Sequence, residues 1–256
     1  MAEQNKYLNK IILGDSREVL KKLDNESIDL VVTSPPYPGA TMWSDDDETI
    51  TEQIERLTEL NNTVLELCAN KVKNGGVICW NICNVPIAKV KRISPNVEKT
   101  VLYAIDELDL SFRGNIIWDK GVYRIPPYPF MRRPVIPNLI HEHILVFFVG
   151  DWIPREKNSH LGKNERSWYA SNVWRFNAET QDRRHIAPFP IELPFRCISL
   201  WSLEGDTVLD PYCGSGSTTV AAKRLNRNYI GIEKDEYSFA LSQKRMNQKL
   251  LKDFVE

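Results

Sequence analysis

The chain has 256 residues, 42% of them hydrophobic, and a formal net charge of −1 at pH 7. This length suits one well-buried α/β domain with an insertion and is short for two full domains. The polar first residues and the absence of an apolar run of about 18 residues predict a cytoplasmic protein that does not contact a membrane. Five cysteines without a CxxC pair indicate reduced thiols, and no metal site is expected.

Apolar strands alternate with amphipathic helices up to Gly150, which predicts βαβ units in a largely parallel sheet. The expected strands in this part are 10–13, 28–32, 76–82, 112–118 and 142–149, and the expected helices are 16–23, 52–70 and 96–108. The alternation of strands and helices stops after Gly150 and resumes near Pro188, with strands at 207–210 and 229–232 and a final helix to about residue 250. Residues 1–150 and 186–256 are therefore predicted to form one catalytic domain, interrupted by an insertion at 151–185.

The strand Ile28–Val32 runs directly into Thr33-Ser34-Pro35-Pro36-Tyr37. Two consecutive prolines keep the chain extended, so nearby carbonyls and the Ser34 hydroxyl stay out of helical hydrogen bonds. Tyr37 adds a flat aromatic face beside these acceptors, which suits a planar ligand that carries an amino group, such as a nucleobase. Taken alone, the segment is equally compatible with an ordinary exit from a strand into a loop.

Basic and aromatic residues concentrate in the middle of the chain. Residues 120–185 carry 11 Lys and Arg against 6 Asp and Glu, so this segment is +5 although the whole chain is −1. Such interleaving is typical of surfaces that meet phosphates and unstacked bases, although a solvated loop has the same appearance. The candidate DNA-contacting residues in this segment are Arg124, Arg132, Arg133, Arg166, Trp168, Arg175, Arg183 and Arg184. His141 and His143 share a strand face but lack a third ligand, so we interpret them as structural or DNA-facing.

A glycine-rich turn follows the predicted strand 207–210, with Gly214 and Gly216 allowing close approach of the backbone to a ligand. The next strand ends at Glu233, where a carboxylate can hydrogen-bond a ribose diol. From packing, these late strands are expected to insert beside the strands that come first in the chain. Ligands of open α/β sheets bind at the carboxyl ends of the strands, at the point where strand order reverses. Tyr37 and Gly214 are then expected to line one cleft.

With these motifs in this order, the chain resembles the amino DNA methyltransferases that use S-adenosylmethionine, of the permuted kind in which the catalytic motif precedes the cofactor motif. The resemblance covers nearly the whole chain and includes Gly14-Asp15-Ser16, Gly75-Gly76-Val77-Ile78 and His185-Ile186-Ala187-Pro188-Phe189-Pro190. It implies a Rossmann-like methyltransferase fold with a mostly parallel seven-stranded sheet. It also implies that segment 151–185, together with loop 120–138, recognises the target sequence.

The resemblance implies roles for individual residues. The implied catalytic residues are Ser34, Pro35, Pro36 and Tyr37. The implied S-adenosylmethionine contacts are Asp15, Ser16, Thr33, Pro188, Phe189, Asp210, Pro211, Cys213, Gly214, Ser215, Gly216, Glu233 and Lys234. Serine before Pro35-Pro36-Tyr37 is, in this family, typical of enzymes that methylate cytosine N4, whereas aspartate or asparagine there is more typical of adenine N6.

The predicted activity is transfer of a methyl group to cytosine N4 in double-stranded DNA, with the base flipped out of the duplex. The protein is expected to act as a monomer or homodimer, with a separate restriction endonuclease as a possible partner. Adenine N6 methylation is the nearest alternative, and methylation of RNA or of a protein amide is more distant. Cytosine C5 chemistry requires a nucleophilic thiolate, typically in a Pro-Cys pair, and no cysteine follows a proline here. A DNA-binding module with an inactive cofactor fold predicts damage to one of the two loops, and both are intact.

Overall fold

A single large sheet organises the protein. We describe it from a computed structural model that covers residues 6–40, 44–45, 47–87, 92–121, 140–151, 153, 163–178 and 189–247. The strands are β1 (Lys10–Leu13), β2 (Ile28–Thr33), β3 (Val72–Ile82), β4 (Val85–Ile87), β5 (Arg92–Ser94), β6 (Ser111–Asp119), β7 (His141–Phe148), β8 (Val173–Arg175), β9 (Thr207–Asp210) and β10 (Asn228–Glu233). The helices are α1 (Ser16–Leu20), α2 (Ile50–Lys71), α3 (Asn96–Asp106), α4 (Lys163–Tyr169), α5 (Glu192–Trp201), α6 (Ser217–Arg224) and α7 (Glu236–Asn247).

The strand order in the main sheet is β1-β10-β9-β2-β3-β7-β6-β8. All neighbouring pairs are parallel except those that β7 makes with β3 and β6. The late strands β9 and β10 thus pair with the early strands β2 and β1, which confirms the predicted insertion. Since β7 alone among these described strands is reversed, its amino end lies at the same edge as the carboxyl ends of its neighbours.

Two apolar layers cover the two faces of the sheet. Successive residues of β2 point to opposite sides, so Val31 packs with α1, α2 and α3, whereas Leu30 and Val32 pack with α5 and α6. All six residues of β2 are buried, as expected for a central strand covered on both faces. The segment Ser34-Pro35-Pro36-Tyr37 therefore directly follows a fully buried strand.

Helix α2 begins with a capping box, in which Thr49 and Glu52 exchange side-chain and backbone hydrogen bonds. This cap explains why the helix starts two residues before the predicted bound of 52. Strand β3 also starts earlier than predicted, at Val72 rather than at 76, and continues through Gly75 and Gly76.

Within the residues that the structure describes, the main sheet has eight strands rather than the seven predicted. The additional strand, β8, lies within 151–185 and pairs in parallel with the edge strand β6. Trp174 at its centre is 1% exposed and belongs to the apolar layer beside α5. Three residues are too few for a periodic pattern, which is why this strand was not predicted from the sequence.

Candidate active site

A cleft of about 1210 Å³ opens at the carboxyl edge of the sheet. Ser34 and Tyr37 line it just beyond the end of β2, and Gly214 lines it just beyond the end of β9. The expectation that Tyr37 and Gly214 share one cleft is confirmed. This volume is sufficient for a nucleoside-sized ligand together with a second planar group.

Glu233 closes one end of the cleft and fixes the glycine-rich turn. Its Oε2 accepts a hydrogen bond from the backbone N–H of Gly214 at 2.7 Å, and its Oε1 accepts one from the N–H of Asp235 at 2.8 Å. Each carboxylate oxygen has further lone pairs, so Glu233 can still accept hydrogen bonds from a ligand diol. Lys234 follows on the cleft wall and is exposed.

Asp15 and Ser16 tie the first loop of the chain to this end of the cleft, which both residues line. Asp15 caps helix α1 by accepting from the backbone N–H of Arg17 at 2.8 Å. The Arg17 guanidinium also donates to both carboxylate oxygens, and these hydrogen bonds hold the pKa of Asp15 below its usual value. The Ser16 hydroxyl donates to the carbonyl of Pro211, which joins the loop after β1 to the loop after β9.

The turn after β9 has glycines at positions of positive φ. Gly216 has φ +88°, and a Cβ there would lie 3.1 Å from the Cβ of Ser242, so both conformation and space favour glycine. The Ser217 hydroxyl, at the start of α6, donates to the carbonyl of Phe189 at 3.0 Å. Of the residues predicted to contact the cofactor, Pro211, Cys213, Ser215 and Phe189 line the cleft, and Pro188 lies outside the described residues.

Thr33 and Asp210 lie behind the cleft wall rather than on it, being 0% and 1% exposed. The Thr33 hydroxyl donates to Asp210 Oδ1 at 2.6 Å, and the same oxygen accepts from the N–H of Tyr212 at 3.1 Å. These bonds join the ends of β2 and β9. The two side chains thus support the cleft wall from behind, and their predicted contact with the cofactor stays a prediction. Gly216 likewise is not among the lining residues.

Asp210→Asn is expected to change how stability depends on pH. Burial raises the pKa of Asp210 from 3.8 to about 6. Between these values the folded state holds a proton that the unfolded chain has lost, so the free energy of unfolding falls as pH rises, by up to about 3 kcal/mol. Asparagine does not titrate and keeps an oxygen for Thr33. Denaturant unfolding at several pH values from 4 to 7.5 should show a flatter profile for the variant, and parallel profiles would contradict the assignment.

At the other end of the cleft, Ser34 belongs to a connected group of polar side chains. Ser34 Oγ is 2.9 Å from the Tyr37 hydroxyl, which donates to Glu142 Oε2 at 2.8 Å. The Asn81 amide nitrogen lies 2.6 Å from Glu142 Oε2 and 2.9 Å from the Tyr37 oxygen. Lys120 pairs with Glu142 Oε1. We call these five residues the Ser34 network.

The sequence did not reveal the contributions of Asn81, Lys120 and Glu142. They come from β3, from the residue after β6 and from β7, which meet only because β7 is reversed between its neighbours. One signal was present, since Glu142 is the only acidic residue in the apolar strand His141–Phe148. An acidic side chain within a buried strand usually has a specific partner or task.

Tyr37 stays a neutral phenol in this setting. Burial and the nearby negative charge of Glu142 raise the pKa of Tyr37 well above its usual value. The ring also packs against the apolar layer beneath the cleft. Pro35 and Pro36 line the cleft between Ser34 and Tyr37, and the carbonyl of Pro36 accepts from the Asn61 side chain at 2.8 Å.

Of the candidate DNA-contacting residues, the structure describes the side chains of Trp168 and Arg175. Trp168 is 70% exposed, and the Arg175 side chain is 71% exposed while its Nε donates to Asp119 at 2.9 Å. Arg124, Arg132, Arg133, Arg183 and Arg184 lie outside the described residues, as does the side chain of Arg166. His141 lines the cleft and its Nε2 is 3.1 Å from that of His143, which in turn contacts Asn115.

Comparison with known proteins shows the family to which the chain belongs. The sequence model described as DNA methylase, for the N6 and N4 enzymes, matches residues 28–244. The chain belongs to the N6/N4 DNA methylase family. Membership accounts for both motifs and for their order, and it makes the chain an S-adenosylmethionine-dependent DNA methyltransferase, as the sequence predicted.

Related proteins extend over nearly the full chain. The type II methyltransferase M.MjaI of Methanocaldococcus jannaschii is 30% identical, with 96% of each chain covered. The type II methyltransferase M.MthZI of Methanothermobacter thermautotrophicus is also 30% identical, covering 96% of this chain and 78% of its own.

Solved structures of similar proteins have the same fold. TTHA0409 of Thermus thermophilus, a candidate DNA modification methylase solved in complex with S-adenosylmethionine, superimposes with a TM-score of 0.75 at 26% identity, covering 92% of this chain and 93% of its own. The cytosine-N4-specific PvuII DNA methyltransferase has a TM-score of 0.76 at 20% identity, covering 94% and 87%. The predicted methyltransferase fold is confirmed. None of the helices that the structure describes is long and apolar enough to cross a membrane.

The cleft of this N6/N4 DNA methylase fits S-adenosylmethionine on its own evidence. Glu233 offers carboxylate oxygens at the end where a ribose diol would bind, and Gly214 allows the backbone to approach without a side chain. Asp15 adds a second carboxylate on the same wall. A nucleoside with hydroxyl and amino groups matches this set of acceptors.

Glu233→Ala should weaken the binding of S-adenosylmethionine by about 1 to 3 kcal/mol, or about 5- to 150-fold in Kd, through a lost charge-assisted bond. The structure adds a second reason, since the Gly214 and Asp235 N–H groups lose their acceptor. Isothermal titration calorimetry measures the effect, and Glu233→Gln, which keeps one oxygen, should fall between the alanine variant and the wild type. Unchanged affinity in the alanine variant would remove Glu233 from the cofactor site.

Proposed function

We propose that the protein methylates cytosine N4 at a specific site in double-stranded DNA and serves as the modification enzyme of a restriction-modification system. The observation that carries the base assignment is Ser34, a neutral hydroxyl placed before Pro35-Pro36-Tyr37 on the cleft wall. Adenine N6 is the second candidate, because the same acceptors serve either exocyclic amine and the pocket shape must choose.

The chemical difficulty lies in the exocyclic nitrogen, whose lone pair is delocalised into the ring. Hydrogen bonds from the two N4 protons to the Ser34 hydroxyl and to a carbonyl near Pro35 would make this nitrogen more tetrahedral and direct its lone pair into the cleft. Bound S-adenosylmethionine supplies a methyl group already activated by its sulfonium. The nitrogen proton becomes acidic only once the new bond exists, so no strong base is needed.

The target base must leave the duplex to reach this cleft, at a cost of a few kcal/mol. Basic side chains of residues 120–185 would offset that cost through contacts with phosphates. Trp168 is exposed in this segment, and the Arg175 side chain is largely exposed while its Nε donates to Asp119. We therefore propose segment 151–185, with loop 120–138, as the part that recognises the target sequence, while β8 within it also extends the catalytic sheet.

The type II relatives support the restriction-modification role, and a separate endonuclease acting on the same site would be the partner. Such an enzyme modifies DNA that its partner would otherwise cut. The proposed oligomeric state is a monomer or homodimer.

The deciding experiment is incubation of the purified protein with unmethylated DNA and isotopically labelled S-adenosylmethionine, followed by nucleoside digestion, chromatography and mass detection. Labelled N4-methylcytosine is the expected product, and Ser34→Ala provides the matched control. Labelled N6-methyladenine would overturn the base assignment while leaving the fold and the cleft chemistry in place. Absence of label in DNA, with label in RNA or protein, would overturn the DNA substrate.

A further inference from the structure

Glu142 is a buried carboxylate that has no role in the methyl transfer proposed above. It is 6% exposed, lines the cleft, and lies in a strand that is otherwise mostly apolar. Burying a carboxylate is costly unless it is paired and hydrogen-bonded. Its retention beside Ser34 and Tyr37 therefore calls for a physical reason.

Both oxygens of Glu142 are occupied by donors. Oε2 accepts from the Tyr37 hydroxyl at 2.8 Å and from the Asn81 amide at 2.6 Å. Oε1 is paired with the Lys120 ammonium, whose Nζ lies 5.4 Å from the centroid of the Trp118 ring. Lys120 thus compensates the charge and keeps the carboxylate in place. An ionised carboxylate can only accept hydrogen bonds, and this fixes the direction of every bond made to it.

That direction propagates through the two hydroxyls. Because Tyr37 commits its single proton to Glu142, its oxygen can only accept from Ser34, 2.9 Å away. Ser34 must then donate its own proton to Tyr37. The Asn81 amide nitrogen lies 3.3 Å from Ser34 Oγ and can occupy one lone pair of that oxygen, so at least one lone pair remains for an exocyclic amine. Asn81 supports the same direction by donating to the Tyr37 oxygen at 2.9 Å.

We infer that Glu142, held by Lys120, is a positioning residue that orients the Ser34–Tyr37–Glu142 chain so that Ser34 faces the target amine as a hydrogen-bond acceptor. This inference rests on the proposed role of Ser34, and it applies equally to cytosine and adenine because both present an amino group. Glu142 acts through the two hydroxyls and need not touch the base.

Glu142→Gln tests the direction of the chain with almost no change of shape. Lys120 requires an oxygen, so the glutamine would present its NH2 to Tyr37 and to Asn81, whose amide would turn to accept with Oδ1. Tyr37 would then donate to Ser34, and the Ser34 proton would turn toward the cleft, where it opposes the incoming amine. We expect kcat to fall roughly 10- to 100-fold, with the KM for DNA and the Kd for S-adenosylmethionine within about threefold of wild type.

A double-mutant cycle separates this role from a merely structural one. If Glu142 acts through Ser34, Ser34→Ala combined with Glu142→Gln should be no slower than Ser34→Ala alone. The matched control is Asp29→Asn, which alters another buried carboxylate paired with a lysine, Lys73 at 2.8 Å, outside the cleft. That control should lower the thermal midpoint without a comparable loss of kcat.

Wild-type activity on DNA is measured first, so failure of the proposed function is distinguished from failure of the inference. Given an active wild type, a Glu142→Gln variant within twofold in kcat would overturn the role of Glu142. The role of Glu142 would also be overturned if the fold-loss in kcat of the double variant equalled the product of the losses in Glu142→Gln and Ser34→Ala. If the glutamine variant does not fold, Tyr37→Phe removes the middle hydroxyl of the hydrogen-bonded series Ser34–Tyr37–Glu142. An unchanged kcat in the phenylalanine variant would equally overturn the inference.

Discussion

Replacing Ser34 by alanine is expected to lower kcat by about 100-fold or more, which is the scale of losing one preorganised hydrogen bond to a reacting group. Alanine removes the acceptor that would draw the target amine toward a tetrahedral geometry, and it removes nothing from the end of the cleft formed by Gly214 and Glu233. Single-turnover methylation of DNA measures the first effect, and calorimetry with S-adenosylmethionine measures the second.

The control for this prediction is Ser111→Ala, which makes the same chemical change at the start of β6, away from the cleft. It should retain wild-type kcat and affinity. Full activity in the Ser34 variant would show that the assigned catalytic role is wrong. A large loss of cofactor affinity in that variant would show instead that Ser34 belongs to the cofactor site.

Replacing Tyr37 by alanine is expected to cost both turnover and stability. The ring packs against the apolar layer, and its hydroxyl is a hydrogen-bond partner of Glu142 and Asn81. Removal of both should lower the free energy of unfolding by about 3 kcal/mol, from lost packing and from buried polar groups left without a partner. Denaturant unfolding measures this loss, and methylation assays should show reduced kcat while cofactor binding persists.

Tyr37→Phe divides the two contributions. Phenylalanine keeps the ring on the apolar layer and removes only the hydroxyl, so stability should fall less than in the alanine variant while kcat still falls. If the phenylalanine variant were as unstable as the alanine variant, the polar contacts would dominate the stability of this part of the cleft. If it kept full kcat, the hydroxyl would have no part in the reaction.

The sequence was most informative where a motif follows a central strand. Strands β2 and β9 were predicted from short apolar runs, and their pairing with late or early neighbours followed from the general behaviour of open α/β sheets. Tyr37 and Gly214 were consequently expected in one cleft. Both positions depend on local residue chemistry and on a common topology, and the sequence contains both kinds of information.

Other parts of the site depend on strand register and direction. Thr33 and Asp210 were predicted to contact the cofactor, and the structure shows that both are buried and hydrogen-bonded to each other. Glu142 and Lys120 meet because β7 runs opposite to β6, and nothing in the spacing of these residues indicates that reversal. Trp174 lies in the basic segment 120–185 and is buried in the core.

The reversal of β7 brings together the two ends of the segment that connects β6 to β7. Asp119 at the end of β6 pairs with His141 at the start of β7, and the Lys120 N–H bonds to the carbonyl of Ile140 at 3.3 Å. The intervening segment therefore leaves and re-enters the sheet through two adjacent points beside the cleft. Insertions, deletions or wholesale replacement between those points need not disturb the register of either strand. Under the proposed role of loop 120–138 in target recognition, exchanging this one segment would change the DNA sequence preference and leave the chemistry of methyl transfer unchanged.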